Sequence, residues 1–177
     1  MKQVRELENK LHGWYKGAPH LPKEAQQWLA DNVWWLAIIG AVLSAMGLLV
    51  VVPLLLGALA LTTVVAPYAG YYSGFVGLAW LGILISVASY IATGILLAMS
   101  VNPLKAKAKK GWELVFLSYV VNFGLSIVGA VIAINVFGVL GAVIGAAIGG
   151  YFLFEIYSYF GAKSKAEHKI ETKAKKA

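Results

Sequence analysis

The sequence predicts an all-α fold, an integral membrane four-helix bundle with a short N-terminal amphipathic segment. The chain of 177 residues is 60% hydrophobic and only 13% charged. Two long blocks, residues 32–104 and 114–154, contain no charged side chain. A helix needs about 20 residues, at ~1.5 Å per residue, to cross a hydrocarbon core ~30 Å thick. The second block is about twice that length, and it therefore predicts two spans joined by a tight turn.

The positive charges decide how many spans the first block contains. By length alone, this block is ample for two spans and cramped for three. The fifteen Lys and Arg residues form three groups that flank the two blocks, and such residues near span ends are retained on the cytoplasmic side. Each block must then cross the membrane an even number of times. We predict spans at about 33–56, 75–99, 113–134 and 137–158, with both termini cytoplasmic.

The connections between the spans carry turn residues. Asn135 is expected at the turn between the third and fourth spans. Pro53 is expected to kink or end the first helix, because proline removes an intrahelical bond and clashes with the preceding turn. Residues 57–73 are apolar and rich in tyrosine, so they predict an outer segment that is either interfacial or re-entrant.

The two ends of the chain are predicted to lie outside the bilayer. Residues 1–32 form a cytoplasmic segment in which apolar side chains recur at helical spacing, and Pro22 suits the first turn of a short helix. This amphipathic pattern fits the membrane surface and packing on the protein's own inner loops equally well. Residues 159–177 are Ala, Lys and Glu for the most part and predict a basic, solvated tail.

The strongest motif is a glycine stripe in the fourth span. Without side chains on that face, another helix backbone can approach closely. We expect a helix-packing surface, internal to the bundle in the preferred interpretation and a homodimer seam in the alternative. The residues are Gly138, Gly141, Gly145 and Gly149.

Two stripes of small polar residues lie in the second and third spans and are expected to face each other. They predict interhelical hydrogen bonds or, in the alternative, a narrow polar path for a small solute or ion. The first interpretation is preferred because conducting paths are usually marked by ionisable residues, which are absent at this depth. The residues are Ser86, Ser89, Thr93, Ser118, Asn122 and Ser126.

The remaining charges favour lipid partners. Basic residues near a membrane surface attract anionic headgroups such as phosphatidylglycerol by about 1 kcal/mol each, and the candidates are Lys105, Lys107, Lys109 and Lys110. Nucleic acid is not expected, because the positive-inside rule already explains the net charge of +7. Glu155 is expected to pair with a lysine of the last basic group or, in the weaker alternative, to form a proton or cation site.

The sequence supplies no pattern for chemistry. It has no cysteine and no P-loop, and its three histidines lie outside the spans. We therefore predict no catalytic, cofactor-binding or metal-ligating residue, and a protein that is not an enzyme.

One family resemblance accompanies this interpretation. It rests on residues 14–22, Trp-Tyr-Lys-Gly-Ala-Pro-His-Leu-Pro, on the Trp pair at 34–35, and on Asn-Pro-Leu-Lys at 102–105. Together they resemble uncharacterised small multi-span membrane proteins of candidate-phylum bacteria such as Saccharibacteria, over most of the chain. The resemblance implies a bacterial plasma membrane and transfers no binding residue. The predicted function is a non-enzymatic scaffold or accessory subunit that acts through helix-helix or lipid contacts; the alternative is a small homo-oligomeric channel or transporter.

Overall fold

The computed structural model of the protein describes residues 6, 10, 11, 13, 15, 17–65 and 73–161. Their main elements are four long helices and a closing 3-10 turn. All four helices are long and apolar enough to cross a membrane. The predicted all-α, four-helix membrane fold is confirmed, and the chain is a multi-pass membrane protein. The elements are α1 (Lys23–Val65), α2 (Ser73–Lys105), α3 (Lys109–Ile132), α4 (Val136–Glu155) and the turn Tyr157–Tyr159.

Helices that follow each other in the chain pack against each other: α1 on α2, α2 on α3, and α3 on α4. The last two pairs are joined by short connections, residues 106–108 and 133–135, and such short connections require antiparallel neighbours. The end of the bundle that carries the lysines of residues 105–110 is called the basic end below.

Helix α1 is longer than the predicted first span. It runs for 43 residues without interruption through Pro53, which corresponds to about 65 Å at ~1.5 Å per residue. Of the two outcomes expected at Pro53, an end of the helix is therefore wrong, since the helix continues to Val65. Residues 23–32 also belong to this helix and do not form a separate one before the span. A proline removes only one intrahelical bond, and in hydrocarbon every other backbone group still needs a helical partner. Residues 66–72 of the predicted outer segment lie outside the described residues.

The buried core lies at the basic end and draws on α1, α2, α3 and α4 together. Trp112 and Phe116 are both 0% exposed, and their rings stack at a centroid distance of 5.2 Å. The Trp112 indole N–H donates to the Leu153 carbonyl at 2.9 Å, so the buried polar edge of the ring is satisfied. The core residues are Ala30, Val33, Ala37, Leu104, Trp112, Phe116, Leu153, Phe154, Ile156 and Phe160.

The α2 and α3 backbones approach each other very closely at the same end. A Cβ added at Gly111 would lie 2.6 Å from the backbone nitrogen of Leu104, so only glycine fits there. The connection turns through Lys107. Its φ of 51° lies in the left-handed region of backbone conformation, which residues other than glycine rarely adopt. This sharp turn brings the start of α3 directly onto the end of α2.

The opposite end of the bundle is loosely packed. Asn135 lies at the turn between α3 and α4, as predicted, and its side-chain oxygen accepts a hydrogen bond from the Gly138 N–H at 2.9 Å. Ile134 and Phe137 are 79% and 85% exposed. An apolar cavity of about 460 Å³ opens between α1, α2 and α3 near this end, lined in part by Val51, Ile83 and Ile132.

Candidate functional site at the basic end

Glu155 is a buried carboxylate at the end of α4. Its side chain is 4% exposed, and it is the first charged residue after the second uncharged block. One carboxylate oxygen lies 2.7 Å from Nδ1 of His20. The other accepts hydrogen bonds from the Leu21 N–H and the Gln26 side-chain amide, each at 2.9 Å. A buried carboxylate is costly without such partners, and here both oxygens have them.

The partners of Glu155 come from the segment that precedes and begins α1, which we call the strap (residues 17–26). The Tyr151 hydroxyl of α4 adds to this attachment by donating to the Pro19 carbonyl at 2.5 Å. Tyr15, just before the strap, donates from its hydroxyl to the Ala147 carbonyl of α4 at 3.2 Å. The Tyr15 ring also stacks on Phe154 at 5.2 Å. The strap therefore packs on the protein's own fourth helix, a placement that differs from both of those considered from the sequence, the membrane surface and the inner loops.

Glu155 is thus not paired with a lysine in the described residues. Its partner is His20, which precedes it by 135 positions, and sequence reasoning missed this pairing because nothing in local spacing connects the two. The lysines that follow residue 161 lie outside the described residues. Of the predicted N-terminal amphipathic helix, Glu6, Lys10 and Leu11 are described, and all three are helical.

Lys107 fixes the other side of the basic end. Its ammonium lies 2.8 Å from the Asp31 carboxylate and donates to the Ala30 carbonyl in α1. Its own carbonyl accepts from the Gly161 N–H at 3.2 Å. The connection between α2 and α3 therefore holds both the start of α1 and the residues that follow α4.

Two of the other lysines at this end lie over aromatic rings. Lys105 lies 4.2 Å from the centroid of the Trp34 ring, and Lys109 lies 3.6 Å from that of Tyr157. Lys110 is exposed. A cation over an aromatic face is stabilised but keeps its charge, so the predicted lipid-binding lysines form a positively charged rim at one end of the bundle. Their contact with lipid headgroups stays a prediction.

A groove lies between α1 and α4, borders the buried core and runs over the surface of α3. We call it the α1/α4 groove; its volume is about 200 Å³. Its lining is almost entirely apolar. The lining residues are Leu29, Val33, Leu36 and Ala37 of α1; Val115, Ser118 and Tyr119 of α3; Gly149, Phe152 and Leu153 of α4; and Ile156, which follows α4.

The glycines of the predicted stripe have different surroundings. A Cβ added at Gly149 would contact the Tyr119 ring at 3.5 Å, and one at Gly138 would meet the Ala130 side chain at 3.2 Å. A Cβ at Gly141 or Gly145 would meet no atom of the described residues within 4 Å. The preferred interpretation, packing inside the bundle, is therefore not what the structure shows at Gly141 and Gly145. Whether this open face forms a homodimer seam stays a prediction.

The two polar stripes meet at one point. The Asn122 side-chain amide lies 3.5 Å from the Ser89 hydroxyl of α2, a long and weak hydrogen bond. The hydroxyls of Ser86 and Ser118 instead donate to carbonyls of their own helices, at 2.9 and 2.8 Å. Thr93 has a buried hydroxyl without a hydrogen-bond partner among the described residues, and Ser126 is half-buried on α3.

The described residues contain no group of three His, Asp or Glu side chains that could hold a metal ion. Comparisons with protein-family models, with curated proteins and with solved structures found no match to this chain. What the basic end does physically is to hold four helices and the strap together around one buried carboxylate.

Proposed function

We propose that this multi-pass protein is a non-enzymatic scaffold or accessory subunit of a bacterial plasma membrane, with both termini in the cytoplasm. The observation that carries the proposal is the state of Glu155: both of its oxygens accept hydrogen bonds from the chain itself. A carboxylate that is already satisfied by three donors stabilises an architecture, whereas a catalytic carboxylate needs access to a substrate.

Two surfaces are available for the contacts that a scaffold makes. The open face of α4 at Gly141 and Gly145 can accept another transmembrane helix, because small residues allow close backbone approach. The lysine rim, with Lys105, Lys107, Lys109 and Lys110, suits anionic phospholipids of the cytoplasmic leaflet.

The proposal is tested by the molar mass of the full-length protein in mild detergent and by solute flux from proteoliposomes. A scaffold gives no flux above that of empty liposomes. Gly145→Leu is expected to abolish any oligomer that uses the α4 face, while Val143→Leu, an exposed position of the same helix, leaves it intact. An oligomer that survives Gly145→Leu contradicts the helix-contact role of this face.

The alternative function, a small homo-oligomeric channel or transporter, is favoured by one observation: Asn122 of α3 and Ser89 of α2 bring polar groups together at membrane depth. Flux that Asn122→Leu removes would replace the scaffold proposal by the channel.

The orientation has its own test. A reporter fused after residue 70 is expected to behave as external, and one fused after residue 108 as cytoplasmic, because two spans separate the basic groups. The reverse result for either fusion contradicts the four-span topology.

A further inference from the structure

Helix α1 projects beyond the end of the bundle that lies opposite the basic end. The apolar cavity at this end is lined by Leu54 of α1, by Leu78 of α2 and by residues 132–134, so the turn between α3 and α4 lies level with Leu54. Beyond that level α1 continues to Val65, which is about 16 Å at ~1.5 Å per residue. We call residues 55–64 of this projection the α1 tip.

The part of the bundle that all four helices share already matches one typical bilayer. At the basic end, Val33 of α1 belongs to the buried core that also contains Trp112 and Phe154. From Val33 to Leu54, α1 rises by about 32 Å at ~1.5 Å per residue, and the hydrocarbon core of a typical bilayer is ~30 Å thick. The α1 tip is therefore additional to the length that such a bilayer requires.

The α1 tip exposes apolar side chains around most of its circumference. Leu56, Leu59, Leu61 and Val64 are between 48% and 69% exposed, and at 3.6 residues per turn these four positions are spread over more than half of the helix surface. No charged residue lies between residues 32 and 104. A helix that docks on one side against a protein has an apolar stripe and a polar face, whereas a helix that is apolar all round lies in a protein core or in lipid.

The two threonines of the α1 tip use their hydroxyls within the helix. Thr62 donates to the Leu59 carbonyl at 2.6 Å, and Thr63 donates to the Ala60 carbonyl at 2.7 Å. Interfaces between proteins carry about one hydrogen bond per 100–200 Å², and these hydroxyls are already engaged. In hydrocarbon, by contrast, polar groups must be satisfied within the chain. The chemistry of the α1 tip therefore fits acyl chains rather than water or a polar protein surface.

Tilting alone does not place α1 in a typical bilayer. From Val33 to Val65 the helix rises by about 48 Å at ~1.5 Å per residue, and fitting that length into ~30 Å requires a tilt of about 50°. Transmembrane helices tilt by about 20° on average and by about 40° at most. Even at about 40° the helix spans about 37 Å of hydrocarbon, so the bilayer around it must be thicker than a typical one.

From these observations we infer that the α1 tip recruits phospholipids with long acyl chains, so that the hydrocarbon core around α1 is thicker than ~30 Å. The partner is defined by the length of its acyl chains and not by its headgroup. The inference is independent of the proposed scaffold function and of the orientation in the membrane, because it depends only on helix length and on the side chains of the α1 tip.

Cysteine labelling tests the inference, because the chain contains no cysteine of its own. The full-length variant Leu59→Cys is reconstituted in phosphatidylcholine bilayers whose acyl chains have about 14, 18 or 22 carbons, so that the hydrocarbon thickness varies. A charged maleimide present on both sides of the membrane reacts with a thiol that water reaches, since the thiolate is the nucleophile. We expect labelling in the thinnest bilayer and roughly tenfold slower labelling in the thickest.

Two matched variants calibrate the labelling. Val42→Cys, at an exposed position of the same helix about 13 Å from Val33, should stay unlabelled in all three bilayers. Lys110→Cys, at an exposed position of the basic end, should be labelled in all three. Labelling of Leu59→Cys in every bilayer places the α1 tip in water, and protection in every bilayer means that tilting or a protein surface covers it; either result overturns the inference.

A second measurement uses the wild-type protein and does not depend on the folding of any variant. Brominated phosphatidylcholine quenches the tryptophan fluorescence, and unbrominated phosphatidylcholine of a different chain length competes with it for the protein surface. We expect the lipid with about 22 carbons per chain to bind roughly threefold more strongly than the lipid with about 14. Equal binding of the two lipids, or stronger binding of the shorter one, contradicts the recruitment of long chains.

Discussion

The two ends of the bundle are built differently, although both are rich in apolar residues. At the basic end Trp112 and Phe116 are fully buried, and Glu155 joins α4 to the strap. At the opposite end Ile134 and Phe137 are exposed, and a large apolar cavity separates the helices. Within a bilayer, apolar side chains gain little by exchanging lipid contacts for protein contacts. Close packing is therefore found at the end where aromatic rings, charges and hydrogen-bonding groups contact one another.

The largest expected effect comes from the core of the basic end. Trp112→Ala removes the ring that stacks on Phe116 and donates to the Leu153 carbonyl, and is expected to lower the free energy of unfolding by about 3–5 kcal/mol. Trp28→Ala is the matched control, because Trp28 is 64% exposed; it should change the stability by less than about 0.5 kcal/mol. Reversible unfolding in mixed micelles measures both, and similar losses would contradict a stability that depends on the burial of Trp112.

The second effect tests the strap. Glu155→Gln removes the charge that three donors share, and the loss of charge-assisted hydrogen bonds is expected to cost about 1.5–3 kcal/mol. Amide hydrogen exchange of Ala18, His20 and Leu21 should accelerate, while exchange in the middle of α2 stays unchanged. Gln26→Ala removes one donor only and should give a smaller acceleration. Unchanged exchange at Leu21 in Glu155→Gln would show that the carboxylate does not hold the strap.

A third prediction compares two residues with a left-handed backbone, one at each end of the bundle. Ile134 and Lys107 both have a φ of 51°, which costs a side-chain-bearing residue about 1–2 kcal/mol. Ile134→Gly should therefore stabilise the protein by about 1 kcal/mol, because the exposed side chain contributes little. Lys107→Gly relieves the same strain but loses the contacts with Asp31 and Ala30, so it should bring no gain. Thermal unfolding of both variants measures the difference, and a larger gain from Lys107→Gly would contradict the anchoring role of Lys107.

The smallest effect belongs to the polar contact at membrane depth. The hydrogen bond between Asn122 and Ser89 is long, at 3.5 Å, and interhelical bonds of this kind average about 0.6 kcal/mol. A double-mutant cycle with Asn122→Leu and Ser89→Ala should give a coupling energy at or below that value. A coupling energy several times larger would contradict the assignment of this contact as a long, weak hydrogen bond.

Much of the fold could be predicted because long-range charge patterning has a simple physical meaning. Blocks without charges must lie in lipid. The length of the second block predicted two helices and the turn at Asn135, and the positive charges on both sides of the first block decided that it also contains two. The continuation of α1 through Pro53 was missed, since proline is a helix breaker in water but costs less than an open backbone does in hydrocarbon.

The candidate site was harder to predict. The burial of Glu155 depends on His20 and Gln26, which come from the other end of the chain, and no local spacing encodes such a contact. The glycine stripe indicated a close-packing surface, but glycine alone does not determine which helix packs against it. Within the stripe, an added Cβ would lie at van der Waals distance from a side chain at Gly149 and closer than that at Gly138, whereas at Gly141 and Gly145 it would meet no atom of the described residues within 4 Å.

The continuous helix α1 has a mechanical consequence. Its contacts with α2 include Gly47, over which the ring of Tyr90 lies, and the helix continues from there to Val65. Beyond that contact α1 extends for about 27 Å at ~1.5 Å per residue and lines the apolar cavity with Val51 and Leu54. A tilt of about 5° around Gly47 would displace the far end of α1 by roughly 2 Å by simple geometry, so the width of this cavity depends on the angle of α1.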